Sequence, residues 1–167
     1  VRDNFDTCLQ TVLRYEGGKV DDPRDPGGRT AFGITQTTYN DWRTSKKMPL
    51  QDVFNITQGE VAMIYRQNYW DKVNGDNLPD GVDIAVFDFA VNSGVSRAAK
   101  YLQSTVGVTQ DGVIGPATIL ATKTYVANKV TDKRMGFLKG LSTWSVFGRG
   151  WANRVNDVYA KIRDLCS

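Results

Sequence analysis

Apolar residues return every three or four positions along most of the chain, the spacing of helices that bury one face. Between about Asn4 and Glu16 the stripe is Phe5, Cys8, Leu9, Val12 and Leu13. Glu16 lies eleven residues, about three turns, beyond Phe5 and falls on the same stripe, before Gly17-Gly18 stops the helix. The pattern therefore predicts a carboxylate on the inward face at the end of the first helix. Periodicity is then lost from Lys19 to Ile34, where Asp22-Pro23, Asp25-Pro26, Gly27-Gly28 and Gly33 predict turns and a short hairpin around Thr30 to Ile34.

Helical spacing resumes after Thr35, an N-cap residue, with Tyr39 and Trp42 in a short helix to about Lys46. Thr57-x-x-Glu60 is a capping box opening a helix that carries Val61, Ile64, Tyr65 and Tyr69. Pro79 to Ser93 is apolar around most of its circumference and is expected to run through the core. Further helices are predicted from Ser96 to about Val106, from Gly115-Pro116 to about Asn128, and from Thr131 or Asp132 onward. Trp151, Val155, Val158, Ile162 and Leu165 mark the last one. With no repeat or linker, the fold expected is mainly α, with one small irregular or hairpin lobe after the first helix.

Composition narrows the chemistry. The 167 residues contain no histidine, which removes Ser-His-Asp and Cys-His nucleophilic sites and His-ligated zinc hydrolases. Acid and base work must fall to carboxylates, Lys or Tyr, and Glu16 and Glu60 are the only two glutamates beside 16 aspartates. No metal and no cofactor are expected. The apolar run Ile84 to Val91 is interrupted by Asp88 and falls short of the roughly 18 residues that span a bilayer. No basic segment followed by an apolar core begins the sequence, so no classical signal peptide is expected. Two cysteines, Cys8 and Cys166, leave two readings open, a disulfide joining the chain ends or two buried small apolar side chains on helices. Charge is uneven: residues 1 to 90 hold 10 Lys and Arg against 14 Asp and Glu, net −4, and residues 91 to 167 hold 11 against 4, net +7. Either these are scattered solvated faces, or the basic half meets an anionic polymer.

Glu16 stands out physically. An acid on an apolar stripe is desolvated, and the negative end of a helix dipole also disfavours its charge, so both effects are expected to raise its pKa. A carboxyl that holds its proton near neutral pH can protonate a glycosidic oxygen. The second carboxylate of such a reaction can come from the following loop, where Asp21, Asp22 and Asp25 precede Thr30, with Asp83 and Asp88 as runners-up. Each aspartate is also an ordinary turn residue.

The segments Glu16-Gly17-Gly18, Asp22-Pro23, Asp25-Pro26-Gly27-Gly28 and Thr30-x-x-Gly33-Ile34-Thr35 closely resemble glycoside hydrolase family 108, the lysozyme-like muramidases of phages and bacteria. The resemblance continues through Ala85-Val86-Phe87-Asp88, Ala90-Val91-Asn92-Ser93-Gly94, Leu102-Gln103, Asp111-Gly112-x-x-Gly115-Pro116-x-Thr118 and Gly148-x-Gly150-Trp151-x-x-Arg154-Val155. It implies a single lysozyme-like domain that hydrolyses the bond between N-acetylmuramic acid and N-acetylglucosamine in peptidoglycan. Glu16 matches the catalytic glutamate, and Asp25 and Thr30 match the Asp and Thr that follow it in phage-type lysozymes. Residues 1–90 would form the catalytic region, and residues 91–167 a helical, peptidoglycan-binding-like region integral to the same fold. Asn92 could reach an acetamido group or hold water, and Tyr39, Trp42, Tyr69 and Trp70 could stack on sugars, although aromatic residues at helical spacing also serve as core.

The expected partner is the peptidoglycan glycan strand, met by a monomer at the periplasm or cell wall, with no stable membrane insertion. Two rivals share the residues: a lytic transglycosylase using the same Glu16, and a non-catalytic, wall-binding module that regulates secretion. A helical nucleic-acid binder would need the basic half on one face, and the sequence offers no nucleic-acid motif.

Overall fold

The structure is a computed structural model that describes residues 3–24 and 28–167. Helix α1 (Phe5–Glu16) forms over the predicted stripe, burying Phe5, Cys8, Leu9 and Val12, and ends at Gly17 with a φ of 72°. Three short strands follow, β1 (Lys19–Asp21), β2 (Arg29–Ala31) and β3 (Ile34–Thr35), in one antiparallel sheet of order β1-β2-β3. The hairpin expected around Thr30 to Ile34 is thus the β2–β3 half of a larger sheet. Its two-residue loop has φ of 53° at Phe32 and 78° at Gly33, the paired positive values of a type I′ turn.

Thr35 caps α2 (Gln36–Ser45) by accepting from the Thr38 amide at 3.1 Å, and the Thr57–Glu60 capping box opens α3 (Gln58–Tyr65) as the pattern predicts. A π turn over Arg66–Trp70 follows directly. Then come α4 (Val82–Ser93), α5 (Val95–Val106), α6 (Pro116–Ala121), α7 (Val126–Lys139) and α8 (Trp144–Cys166). Residues Val82 to Ala90 of α4 are all buried, so this helix is the axis on which α1, α5, α7 and α8 pack. One hydrophobic cluster takes in residues of both halves, from Phe5 to Leu165.

Several boundaries differ from the expectation. The helix predicted from Gly115-Pro116 to Asn128 ends at Ala121, where Thr122 turns extended and bonds through its hydroxyl to Thr118 O. Thr131, read as the start of a helix, lies inside α7 and satisfies its hydroxyl on Ala127 O. Such back-bonding lets a threonine sit mid-helix, which is why it is ambiguous as a cap. Helix α5 begins at Val95 with Gly94 in the cap position, so Ser96, expected to cap it, is already helical. Helix α8 begins seven residues before Trp151. Its first turns expose Val146 and Phe147, so a buried stripe is not visible there.

Both cysteines are free. Cys8 is buried, but Cys166 is exposed, with Sγ 3.4 Å from Asp80 O, so the expectation of two buried thiols holds for one. Among the described residues no helix is long and apolar enough to cross a membrane. The Leu102 to Thr118 segment folds around Gln103, whose buried amide donates to Asp111 Oδ1, Val113 O and Thr118 Oγ1 and accepts from the Gly112 amide. That hydrogen bonding closes the loop onto α5 and is sufficient to account for these residues structurally.

Candidate active site

Glu16 reaches the molecular surface at the end of α1, its side chain 22% exposed. The β2–β3 turn lies directly on it. A Cβ on Gly33 would stand 2.7 Å from Glu16 Oε2 and 2.6 Å from the Tyr65 hydroxyl, at a φ that side chains resist. This close approach gives Gly33 a physical reason to be glycine. Tyr65 donates its hydroxyl to Phe32 O at 2.6 Å and so ties α3 to the same turn.

Arg154 of α8 donates Nη1 to Glu16 Oε1 at 2.9 Å. The sequence expectation for Glu16 rested on burial and the helix end alone, and neither announces this guanidinium. The same Arg154 donates Nε and Nη2 to Asp88 at 2.9–3.1 Å, and Arg134 donates Nη1 to Asp88 at 2.7 Å and Nη2 to Asn92 at 3.2 Å. The result is a chain Glu16–Arg154–Asp88–Arg134–Asn92 running from the surface through the core. Burial pushes the Asp88 carboxyl up, but the two guanidiniums more than reverse it and hold it below the usual carboxylate range. For Arg154 burial acts downward, and Asp88 and Glu16 together leave it raised.

A cleft of about 500 Å³ is lined by Thr38, Asp41, Trp42, Asn68, Tyr69 and Lys72, among others, and Glu16 is not part of its lining. Tyr69 comes from the π turn, a distortion that often marks functional positions, and its ring packs at 5.6 Å against Tyr65. Burial, and then the charge of Glu16, push its hydroxyl up. The link from the carboxyl to the cleft runs through Tyr65, whose hydroxyl and Glu16 Oε2 both meet the Gly33 turn and whose ring packs on Tyr69. Trp42 is mostly buried in the cleft wall, and its indole N–H has no partner among the described residues.

The other sequence candidates separate. Tyr39 is fully buried, its hydroxyl donating to Glu60 Oε1 at 2.9 Å and accepting from Gln51 and Arg43, so it has no open face for a sugar. Trp70 is likewise core, packed edge-on to Phe5 and Phe87. Asp83 bonds Asn4 and the Gly81 and Ile84 amides, at the far end of α1 from Glu16, about 18 Å of helix away. Asp88 serves the two arginines. Asp21 pairs with Arg29 at 3.3 Å, and Asp22 accepts from the Arg24 amide at 2.9 Å. Asp25 lies outside the described residues. Thr30 sits in β2 opposite Val20 and Thr35, on the alternate face from buried Ala31.

Sequence reasoning did not single out Arg134 or assign a task to Arg154. A signal existed: Arg134 is spaced four residues from both Val130 and Leu138, a cation on a buried stripe, and Asp88 interrupts the most apolar helix. Charges so placed require partners.

The family model of glycosyl hydrolase 108 matches residues 9–94, just over half the chain. Among solved structures the chain is similar to SagA of Brucella abortus, with 43% identity and a TM-score of 0.79, over 97% of this chain and 95% of that one. No curated protein matches it. The matched segment contains α1 from Leu9 onward with Glu16, the sheet, the cleft residues apart from Val95, and Asp88. The chain belongs to glycosyl hydrolase family 108, a lysozyme-like family of peptidoglycan hydrolases.

Proposed function

We propose that the protein is a muramidase, acting at the periplasm or cell wall, that hydrolyses the N-acetylmuramic acid to N-acetylglucosamine bond with Glu16 as general acid. The observation that carries this reading is the setting of Glu16, a part-exposed carboxyl at the end of α1, fixed by Arg154 on one oxygen and connected through Tyr65 to Tyr69 in the cleft wall. With Arg154 on Oε1, the other oxygen, Oε2, is left to deliver the proton to the leaving glycosidic oxygen. Tyr69 offers aromatic surface for a sugar ring in the cleft, and Trp42, nearly buried, forms part of the wall behind it. Asn92, whose Oδ1 accepts from Arg134 and Ser93, has its amide N–H groups to offer an acetamido oxygen. Asp25, with Thr30 five residues further on, is proposed as the partner that stabilises the oxocarbenium ion or activates water.

The test is clearance of a purified peptidoglycan suspension by wild type and Glu16→Gln, with mass analysis of the released fragments. Wild type should release reducing-end muropeptides, and Glu16→Gln should lose at least about a hundredfold in rate while staying folded. Retention of more than a tenth of the activity would remove Glu16 from the role. Anhydro products would instead identify a lytic transglycosylase, and binding without soluble fragments a non-catalytic wall module.

A further inference from the structure

A second and larger cavity, of about 720 Å³, adjoins the cleft and shares Val95 with it. It opens at Ser93, one residue past Asn92, and runs along α5 through Ser96, Arg97, Lys100 and Ser104 to Gln110. The two cavities differ in chemistry. The Tyr69 cleft is lined by aromatic, amide and hydroxyl groups, and its one acid, Asp41, is balanced by one base, Lys72, as suits a neutral sugar. The second cavity is lined by two cations and several hydroxyls and by no acid at all. Among the described residues neither Arg97 nor Lys100 has a carboxylate within 4.0 Å. Of the acids flanking them in sequence, Asp88 is taken by Arg134 and Arg154, and Asp111 has its Oδ1 engaged by Gln103 and the Val113 amide.

Arg97 is also held in place. Its guanidinium lies 4.5 Å from the centre of the Phe137 ring and donates to Ser93 O at 3.4 Å. At the rim Lys133 donates Nζ to Ser104 Oγ at 3.2 Å, bringing a third cation. A fixed guanidinium and a nearby ammonium, with hydroxyls between them, form a receptor for carboxylate.

From these observations we infer that the α5 cavity binds the acidic peptide carried by the muramic acid unit, so that the enzyme reads the peptide stem as well as the glycan. The inference rests on the muramidase reading for the placement of the glycan. In peptidoglycan the lactyl group of muramic acid bears a short peptide with free carboxylates. From Asp88, bonded to the arginine that holds Glu16, to Ser93 at the cavity mouth is five residues of α4, about 7.5 Å of helix. A stem leaving a sugar in the Tyr69 cleft therefore has the cationic cavity within its reach.

The experiment measures binding, by fluorescence anisotropy of labelled soluble strands, with full-length protein carrying Glu16→Gln to keep the strands whole. Three strands free of wall phosphate are compared: peptide-bearing; peptide-stripped by an amidase, with the lactyl carboxylate that this leaves then converted to an amide by carbodiimide and ammonia; and peptide-bearing with its carboxylates converted to amides in the same way. Peptide-bearing strands should bind about tenfold more tightly than either of the others. Adding Arg97→Gln and Lys100→Gln should abolish that preference and leave binding of stripped strands unchanged. Equal affinity for all three strands, no binding to any, or a preference that survives the double substitution would overturn the inference. A preference that survives amidation of the carboxylates would do so as well, by showing that peptide bulk and not charge is recognised. Failure of the muramidase reading appears elsewhere, as absence of cleavage products from wild type, and does not alter these binding ratios.

Discussion

Replacing Asp88 by Asn alters almost nothing in size and removes one negative charge from the centre of the network. In the native protein Asp88 accepts from Arg154 at 2.9–3.1 Å and from Arg134 at 2.7 Å, and the side chains of the three are 0%, 7% and 1% exposed. The variant leaves two buried guanidiniums facing a neutral amide, with Arg154 still touching Glu16 and Arg134 still touching Asn92. Breaking a buried ion pair in this way costs about 3–5 kcal/mol. For a chain of 167 residues, at roughly 2–4 °C per kcal/mol, Tm should fall by about 6–20 °C. Thermal melting by circular dichroism measures it, and the pH dependence separates charge from packing. The Asp88 carboxyl is depressed in the folded state, so its stabilisation is fully present above its unfolded pKa of about 3.9 and is lost as pH falls through the folded value. The Tm gap between wild type and variant should therefore be constant above about pH 5 and narrow only in stronger acid. A fall in Tm under about 3 °C, or a gap that stays the same into strong acid, would refute the assignment of Asp88 as the charge that neutralises both arginines.

The remaining predictions concern the site and its approach. Gly33→Ala should put a methyl group against Glu16 and Tyr65 at positive φ, costing about 2–4 kcal/mol in a melt and most of the clearance activity; a stable, active variant would show that the turn does not press on Glu16. Asp25→Asn should cost far more activity than Asp21→Asn or Asp22→Asn, whose carboxylates serve Arg29 and the Arg24 amide, and equal losses across the three would remove Asp25 as the partner. Lysis of whole walls should slow as salt rises while cleavage of a short neutral glycan does not, and parallel responses would discard electrostatic steering by the basic half.

What could be read from the sequence follows the range of the interaction involved. The first helix, the Thr35 cap and the Thr57–Glu60 capping box are local patterns, and each forms as the spacing predicts, while Glu16, placed by the same period on the inward face, ends the helix part-exposed. The helix break near Ala121 and the early start of α8 depend on what packs alongside, which no local period records. Tyr39 and Trp42 have the same helical spacing to their neighbours, yet one is sealed into a hydrogen-bond network with Glu60 and the other lines the cleft. Only the placement of α3 against α2 distinguishes them. The contact of Arg154 with Glu16 spans 138 positions and is set by α8 lying against α1 and α4, so it belongs to tertiary structure alone.

The uneven charge takes a different meaning once that network is known. Arg134 and Arg154 count toward the +7 of residues 91 to 167, and Asp88 toward the −4 of residues 1 to 90, yet these three meet inside the protein, from where Arg154 reaches out to Glu16. Taking the two arginines from one side and Asp88 from the other leaves +5 and, with Glu16 included, −3 for the surface. Part of the asymmetry is therefore an internal tie between the two halves of the chain, which fixes the acid-bearing end of α1 against α4, α7 and α8. The part that remains outside is not evenly spread, because Arg97, Lys100 and Lys133 gather at one cavity beside the cleft. The internal pairs set the geometry of the carboxyl, and the external cations set which anionic groups can approach it. A single excess of positive charge in the sequence thus divides into a structural role and a recognition role, and burial decides which residue takes which.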